Sequence, residues 1–153
     1  MPPTALLSMM FVLALGGRAS AQSTTTADSL VPKLVTDTAS MRSLRDARQR
    51  FARAFGVESV RRMTTRFTSN ADVSVNSTFL EVERFAEWQA ILRVSRSRWT
   101  MYSSSITGLD TMEDIGDYEF SSGTSTFNGS YRITWLLDRA GQWQIRQLKM
   151  LPA

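Results

Sequence analysis

The sequence predicts an α+β domain, with N-terminal helices packed on one face of a curved antiparallel sheet. Three observations predict it. Apolar residues recur at three- and four-residue spacing between about residues 38 and 94. From Trp99 onward the period changes to two. Two turn signals, Asn128-Gly129 and the run from Asp138 to Gly141, divide the C-terminal part into hairpins. A length of 153 residues, 42% hydrophobic and 21% charged, suits one soluble globular domain and excludes a large multidomain enzyme.

The first 21 residues read as an export signal. Ala5 to Leu15 is an apolar run, shorter than the roughly 20 residues of a membrane span. Ala19-Ser20-Ala21 is an A-x-A cleavage site, although no Lys or Arg precedes the apolar run and Arg18 sits near the cut. The expected location is periplasmic or secreted, with no stable membrane anchor after cleavage. Residues 22–36, which contain Ser23 to Thr26 and Pro32, read as a flexible stalk, and residues 37–153 as the folded domain.

Asp37 or Thr38 caps the first helix. Met41, Leu44, Phe51 and Phe55 form its apolar face, Arg residues fill the other, and Gly56 ends it. A second short helix turns Val57, Val60, Met63 and Phe67 inward, and a short strand follows around Val73 and Val75. Thr78 with Glu81 forms a capping-box pattern. The third helix then runs to about Val94, with Val82, Phe85, Ala86, Gln89 and Leu92 on one stripe widened by Trp88 and Ile91. Strands are expected over 99–109, 115–125, 131–138 and 143–150, with the run from Asp110 to Asp114 as the first turn between them. On the last strand Trp143 and Ile145 share one parity, whereas Leu148 and Met150 have the other; a bulge near Arg146-Gln147 reconciles them.

Composition removes several function classes. The chain has no His and no Cys, which excludes His-based triads, thiolate nucleophiles, zinc fingers and disulfides. No phosphate loop, nucleophile elbow or metal-ligand spacing occurs, and the acidic run Asp110 to Asp117 lacks an EF-hand pattern. No cofactor and no metal site are expected. The formal charge is +4, and 16 of the 18 basic residues are Arg. Eight of them, Arg42, Arg45, Arg48, Arg50, Arg53, Arg61, Arg62 and Arg66, lie close together. They read as a solvated helix face rather than a nucleic-acid surface, because no aromatic stacking platform sits among them.

Three stretches carry a family resemblance. The first is the C-terminal hairpin Tyr131-Arg-Ile-Thr-Trp135 to Gly141-Gln-Trp143-Gln-Ile145. The second is Arg50-Phe-Ala-Arg-Ala-Phe-Gly56 followed by Asn70-Ala-Asp-Val-Ser-Val75. The third is the helix from Phe79 to Leu92. Together they resemble the SnoaL-like bacterial branch of the nuclear transport factor 2-like superfamily, over roughly Asp37 to Met150. The resemblance implies that the sheet curls into a cone-shaped pocket closed by the helices. It also implies a small apolar or aromatic ligand inside, and homodimers formed through the outer sheet face. It does not select a reaction, because that superfamily hosts both enzymes and binders.

Three functions stay open: a binding module for a small apolar molecule, an isomerase- or lyase-type enzyme, and an interaction domain acting through the sheet face. The enzyme needs a carboxylate base in an apolar cavity and a phenol to stabilise the oxyanion. Glu119 and Asp117 are the candidate bases, and Tyr102 and Tyr131 the candidate donors. Phe55, Trp88, Tyr102, Glu119 and Trp135 are the candidate ligand-binding residues. Strand parity decides between the roles. Glu119 enters the pocket only if Tyr118 and Phe120 face the other way.

Overall fold

A computed structural model describes residues 37–153. The expected export signal of residues 1–21 and the expected stalk of residues 22–36 lie outside the described residues.

Helix α1 spans Thr38–Ala54 and starts where the Asp37 carboxylate accepts the Ala39 amide N–H at 3.4 Å. Its buried apolar residues, Leu44, Ala47, Phe51 and Ala54, follow the three- and four-residue spacing of the sequence. Gly56 ends it at a φ of +76°, where an added Cβ would collide with the Val94 side chain. Helix α2, Val60–Thr64, is capped by Ser59, whose hydroxyl accepts the Arg62 N–H. Strand β1, Phe67–Val75, turns at Asn76-Ser77 into the short strand β2, Thr78–Leu80. Helix α3 follows over Val82–Leu92 and stops at Arg93 in the left-handed conformation. The meander then comprises β3 (Val94–Ile106), β4 (Thr111–Ser122), β5 (Ser125–Leu137) and β6 (Trp143–Pro152).

The expected architecture needs two corrections. The sheet is mixed rather than antiparallel. Its order is β2-β1-β6-β5-β4-β3, and β1 runs parallel to β6. The chain passes through β2, α3 and the meander before it returns to β1, so the last strand arrives in the same direction as the first. Nor does the sheet form a cone. It is open, with β2 and β3 as edges, and is neither closed nor strongly curled. Large rings occupy the space between helices and sheet. Phe55 is 1% exposed, and its ring centroid lies 5.1 Å from Phe120, 5.2 Å from Trp99 and 6.0 Å from Trp88. Trp99 lies a further 5.0 Å from Tyr131. Rings packed this closely fill the centre as a core and leave no room for a guest there.

Several local expectations shift as well. Thr78 pairs with Val75 in β2, so Glu81 becomes the N-cap of α3 and makes no side-chain capping bond. Val57 and Ile91 point to solvent. Asn128-Gly129 is not a turn. It lies inside β5, and the turn falls at Gly123. Gly129 serves a close approach instead, because a Cβ there would meet the Leu151 carbonyl and, at 2.8 Å, the Tyr118 hydroxyl. The parity switch in β6 is a bulge at Arg146, since Thr134 pairs with Gln147 while Trp135 pairs with Ile145. Asp138 to Gly141 forms the expected turn, closed by the Gly141 N–H donating to the Asp138 carbonyl at 3.0 Å.

Gln89 joins α3 to the segment after α1. It is fully buried; its Oε1 accepts the Gly56 N–H at 2.7 Å, and its Nε2 donates to the Glu58 and Ala86 carbonyls at 3.0 Å each. Gln89→Leu leaves the Gly56 N–H and the Glu58 carbonyl without these partners. Chemical denaturation is expected to show a loss of about 2–4 kcal/mol, from about 1–3 kcal/mol per unsatisfied buried group.

Candidate functional site

The parity of β4 answers the question left by the sequence. Met112, Asp114, Gly116, Tyr118 and Phe120 are buried on the helix-facing side, and Asp117 is exposed on the other. Glu119 also points outward, where it meets Arg98 at 3.5 Å, with both side chains largely in water. Glu119 and Asp117 border an open depression of about 470 Å³ on the outer face, with Arg98, Thr100, Asn128 and Ser130. A base in that position lacks the apolar surroundings that the isomerase reading requires. Tyr102 is the extra residue of a bulge in β3 and is 63% exposed. Of the candidate residues, Phe55, Trp88, Tyr131 and Trp135 all take part in the aromatic packing of the helix–sheet interface.

A carboxylate does sit on the inner face, and it is one the sequence reading left in a turn. Because β4 begins at Thr111 rather than 115, Asp114 becomes a strand residue opposite Ile133. Asp114 is 2% exposed. Arg48 of α1 reaches it with two bonds, Nε to Oδ2 at 2.7 Å and Nη2 to Oδ1 at 2.6 Å. The Ser104 hydroxyl donates to Oδ1 at 2.8 Å, and the Trp135 indole Nε1–H to Oδ2 at 2.8 Å. Four donors therefore saturate the two oxygens. Such a carboxylate is a structural anchor for the helix, and its lone pairs are not free to take a proton from a substrate. The signal available in the sequence was the parity that Asp114 shares with Tyr118.

The other basic residues of the Arg-rich segment behave as expected. Arg66 pairs with Glu58 at 2.7 Å, and Arg42, Arg45, Arg50, Arg53, Arg61 and Arg62 are exposed. Among the described residues, no group of three acidic side chains is placed to hold a metal ion, and no helix is long and apolar enough to cross a membrane.

Burial, and then the negative charge of Asp114, pushes the Tyr131 phenol up from its ordinary 10.0 to about 12, against the opposing charge of Arg48. Burial also raises Tyr118, whose hydroxyl donates to the Leu151 carbonyl at 3.3 Å. For a phenol raised in the folded state, the stabilisation is complete below the unfolded value and is lost as pH rises through the folded one. The domain is therefore expected to lose stability between pH 10 and 12, the interval set by Tyr131. Denaturation at successive pH values checks this, with a shallower decline expected in Tyr131→Phe.

Of the recesses on the helix-facing side, two flank the aromatic block. The smaller, about 140 Å³, lies between α1 and strands β3–β5, lined by Arg48, Phe51, Trp99, Met101, Asp114 and Tyr131 among others. The larger, about 420 Å³, lies between α3 and the sheet, where Trp88, Leu92, Tyr118, Phe120, Phe127 and Met150 form its apolar walls. Asn76, Thr126 and Asn128 supply polar groups there.

No protein-family model matches the chain, and no curated protein matches it. Solved structures do. A nuclear transport factor 2-like protein of unknown function in nutrient uptake from Rhodospirillum rubrum superposes with a TM-score of 0.65 at 11% identity, covering 72% of this chain and 98% of the other. A domain of unknown function with a cystatin-like fold from Nostoc punctiforme gives 0.63 at 15% identity, covering 77% and 80%. A nuclear transport factor 2-like protein from Cytophaga hutchinsonii gives 0.62 at 14%, covering 72% and 95%. The chain thus has the nuclear transport factor 2-like fold. None of the three is described as SnoaL-like, and at these identities the likeness speaks for the fold alone.

Proposed function

We propose that this is an exported ligand-binding domain of the SnoaL-like branch, which holds a small, largely apolar molecule in the recess between α3 and the sheet. One observation carries the reading. A recess of about 420 Å³ is walled by aromatic and aliphatic side chains, with a few amide and hydroxyl groups beside them. Its size lies within the range of small-molecule sites, and its composition has their usual form. Phe127 is 44% exposed at the recess and stacks on Phe120 at 5.0 Å. An apolar guest covers that ring and gains its burial energy.

The export part of the proposal rests on the apolar run and cleavage pattern before Gln22, and the branch assignment on the Tyr131 to Ile145 hairpin. A homodimer through the outer sheet face belongs to the same proposal. That face carries cross-strand ion pairs, Arg98–Glu119 and Arg132–Glu113, so a dimer there joins polar surfaces. Native mass spectrometry counts the subunits.

The neutral naphthalene dye Prodan tests the ligand site. Its emission is expected to shift to the blue and saturate at one dye per chain. Phe127→Ser should weaken binding about tenfold, because losing a stacked ring contact together with its burial is worth about 1.4 kcal/mol or more. No blue shift, or equal affinity in the variant, would overturn the assignment.

A further inference from the structure

Helix α1 carries a charge pattern that neither the core nor the ligand recess uses. Its 17 residues contain five Arg and a single acid, Asp46. Arg48 turns inward to Asp114. Arg42, Arg45, Arg50 and Arg53 are exposed and form no ion pair with a described residue. At about 100° per residue, Arg42, Arg45 and Arg53 fall within an arc of about 80°. That arc lies opposite the buried Leu44 and Phe51, with Gln49 near its centre and Asp46 at its edge. The three side chains therefore form one row, roughly 16 Å long at its base, on the side of α1 that faces away from the core. The outer sheet face differs. It carries both signs, Arg98, Arg132 and Lys149 against Glu113, Asp117 and Glu119, with Arg98 paired to Glu119 and Arg132 to Glu113.

We infer that the row of Arg42, Arg45 and Arg53 is a docking surface for an anionic phospholipid bilayer, with α1 lying along the headgroups. Three properties select that partner. The row is of one sign, and a guanidinium forks onto two phosphate oxygens at once. It is straight and convex, so it meets a plane without distortion, and it offers a nucleic-acid strand neither a groove nor a stacking ring. The apolar residues of α1, Leu44 and Phe51 among them, are already buried in the core, so none is left to enter the acyl chains. Docking is therefore electrostatic and reversible, unlike that of an amphipathic helix that inserts its apolar face. No residue of α1 lines the ligand recess beside α3, so the two sites act separately. The export proposed above would bring the chain to lipid surfaces.

Sedimentation with lipid vesicles tests the surface, on protein expressed with its own leader and purified as the cell processes it. Vesicles of equal parts phosphatidylcholine and phosphatidylglycerol are expected to bind it, and vesicles of phosphatidylcholine alone are not. Each Arg beside an anionic surface contributes about fivefold to partitioning. Arg42→Gln/Arg45→Gln/Arg53→Gln should therefore weaken binding on the order of a hundredfold. Glutamine has a helix propensity close to that of arginine, so this variant should fold as the wild type does. The control Arg98→Gln/Arg132→Gln/Lys149→Gln removes the same charge from the outer sheet face. That face lies beyond the row by more than a helix diameter, about 10 Å, and so past the Debye length at physiological salt. The control should lose less than about threefold, and salt at about 0.5 M should release the wild type. Four outcomes would overturn the inference. A control that loses as much as the α1 variant would show attraction by net charge alone. Undiminished binding of the α1 variant would place the contact elsewhere. Binding that persists in high salt, or is equal on neutral vesicles, would show apolar insertion. No binding to the anionic vesicles would remove the surface outright, and duplex DNA bound in their place would mark it as a nucleic-acid site.

Discussion

Phe55→Ala is expected to cost about 3–5 kcal/mol of folding stability, which lowers the melting temperature by roughly 10–20 °C for a domain of this size. The side chain stands at the centre of the aromatic block. It is 1% exposed and packs against the rings of Phe51, Phe85, Trp88, Trp99 and Phe120. Large rings on α3, β3 and β4 cannot all move into the vacated space, so much of it persists as a cavity. The variant therefore has a second expected property. It should take up a benzene-sized apolar guest near the centre of the domain, where the wild type has no room. A stability loss below about 1.5 kcal/mol, or no new guest, would show that the block is looser than the ring distances indicate.

Arg48→Met is expected to cost about 3–5 kcal/mol, the usual effect of stranding one member of a buried pair. The Asp114 side chain is 3% exposed and that of Arg48 22%, and two of the four hydrogen bonds to the carboxylate come from this guanidinium. Methionine keeps most of the apolar stem of the side chain, so the loss reports mainly the guanidinium and its charge. Adding Asp114→Asn to Arg48→Met should restore part of the stability, because the remaining Ser104 and Trp135 donors then face a neutral amide oxygen. A double variant less stable than Arg48→Met alone would contradict this. Equilibrium denaturation of the three variants supplies the cycle.

Much of the fold is legible in the sequence because much of it is local. The stripe from Leu44 to Phe51 defines α1, and the parity change between Ile145 and Leu148 announces the Arg146 bulge. What the sequence hides is non-local. The parallel pairing of Phe67 with Ile145 depends on where the last strand ends up, which no spacing within either segment records. The run from Asp110 to Asp117 holds four acidic residues, and its first part, Asp110 to Asp114, reads as a turn. Asp114 becomes a buried strand residue only through Arg48, 66 positions earlier in the chain. Glycine next to Asn is a common hairpin signal, yet Gly129 is there so that β6 and Tyr118 can pack close to it.

The site was less legible for a related reason. Phe55, Trp88, Tyr131 and Trp135 all face the helix–sheet interface, but facing inward does not distinguish a lining residue from a filling one. The sizes of Phe55, Trp99 and Phe120, brought together from α1's end, β3 and β4, decide that the centre is filled and that space is left only at its margins. Glu119 was the natural base in a cone. With Tyr118 and Phe120 buried against the helices, the alternation of β4 sends it to the outer face beside Arg98.

Methionine methyl NMR tests the central claim most directly, that an apolar guest occupies the recess beside α3 and not the space beneath α1. Met150 lines that recess, Met101 lines the smaller one, and Met63 and Met112 are buried in the core. With the methyls carbon-13 labelled, titration with naphthalene is predicted to shift the Met150 resonance to saturation, through the ring current of the guest, and to leave Met63, Met101 and Met112 in place. A Met101 or Met112 resonance that moves while Met150 stays fixed would contradict the account and place the ligand on the α1 side.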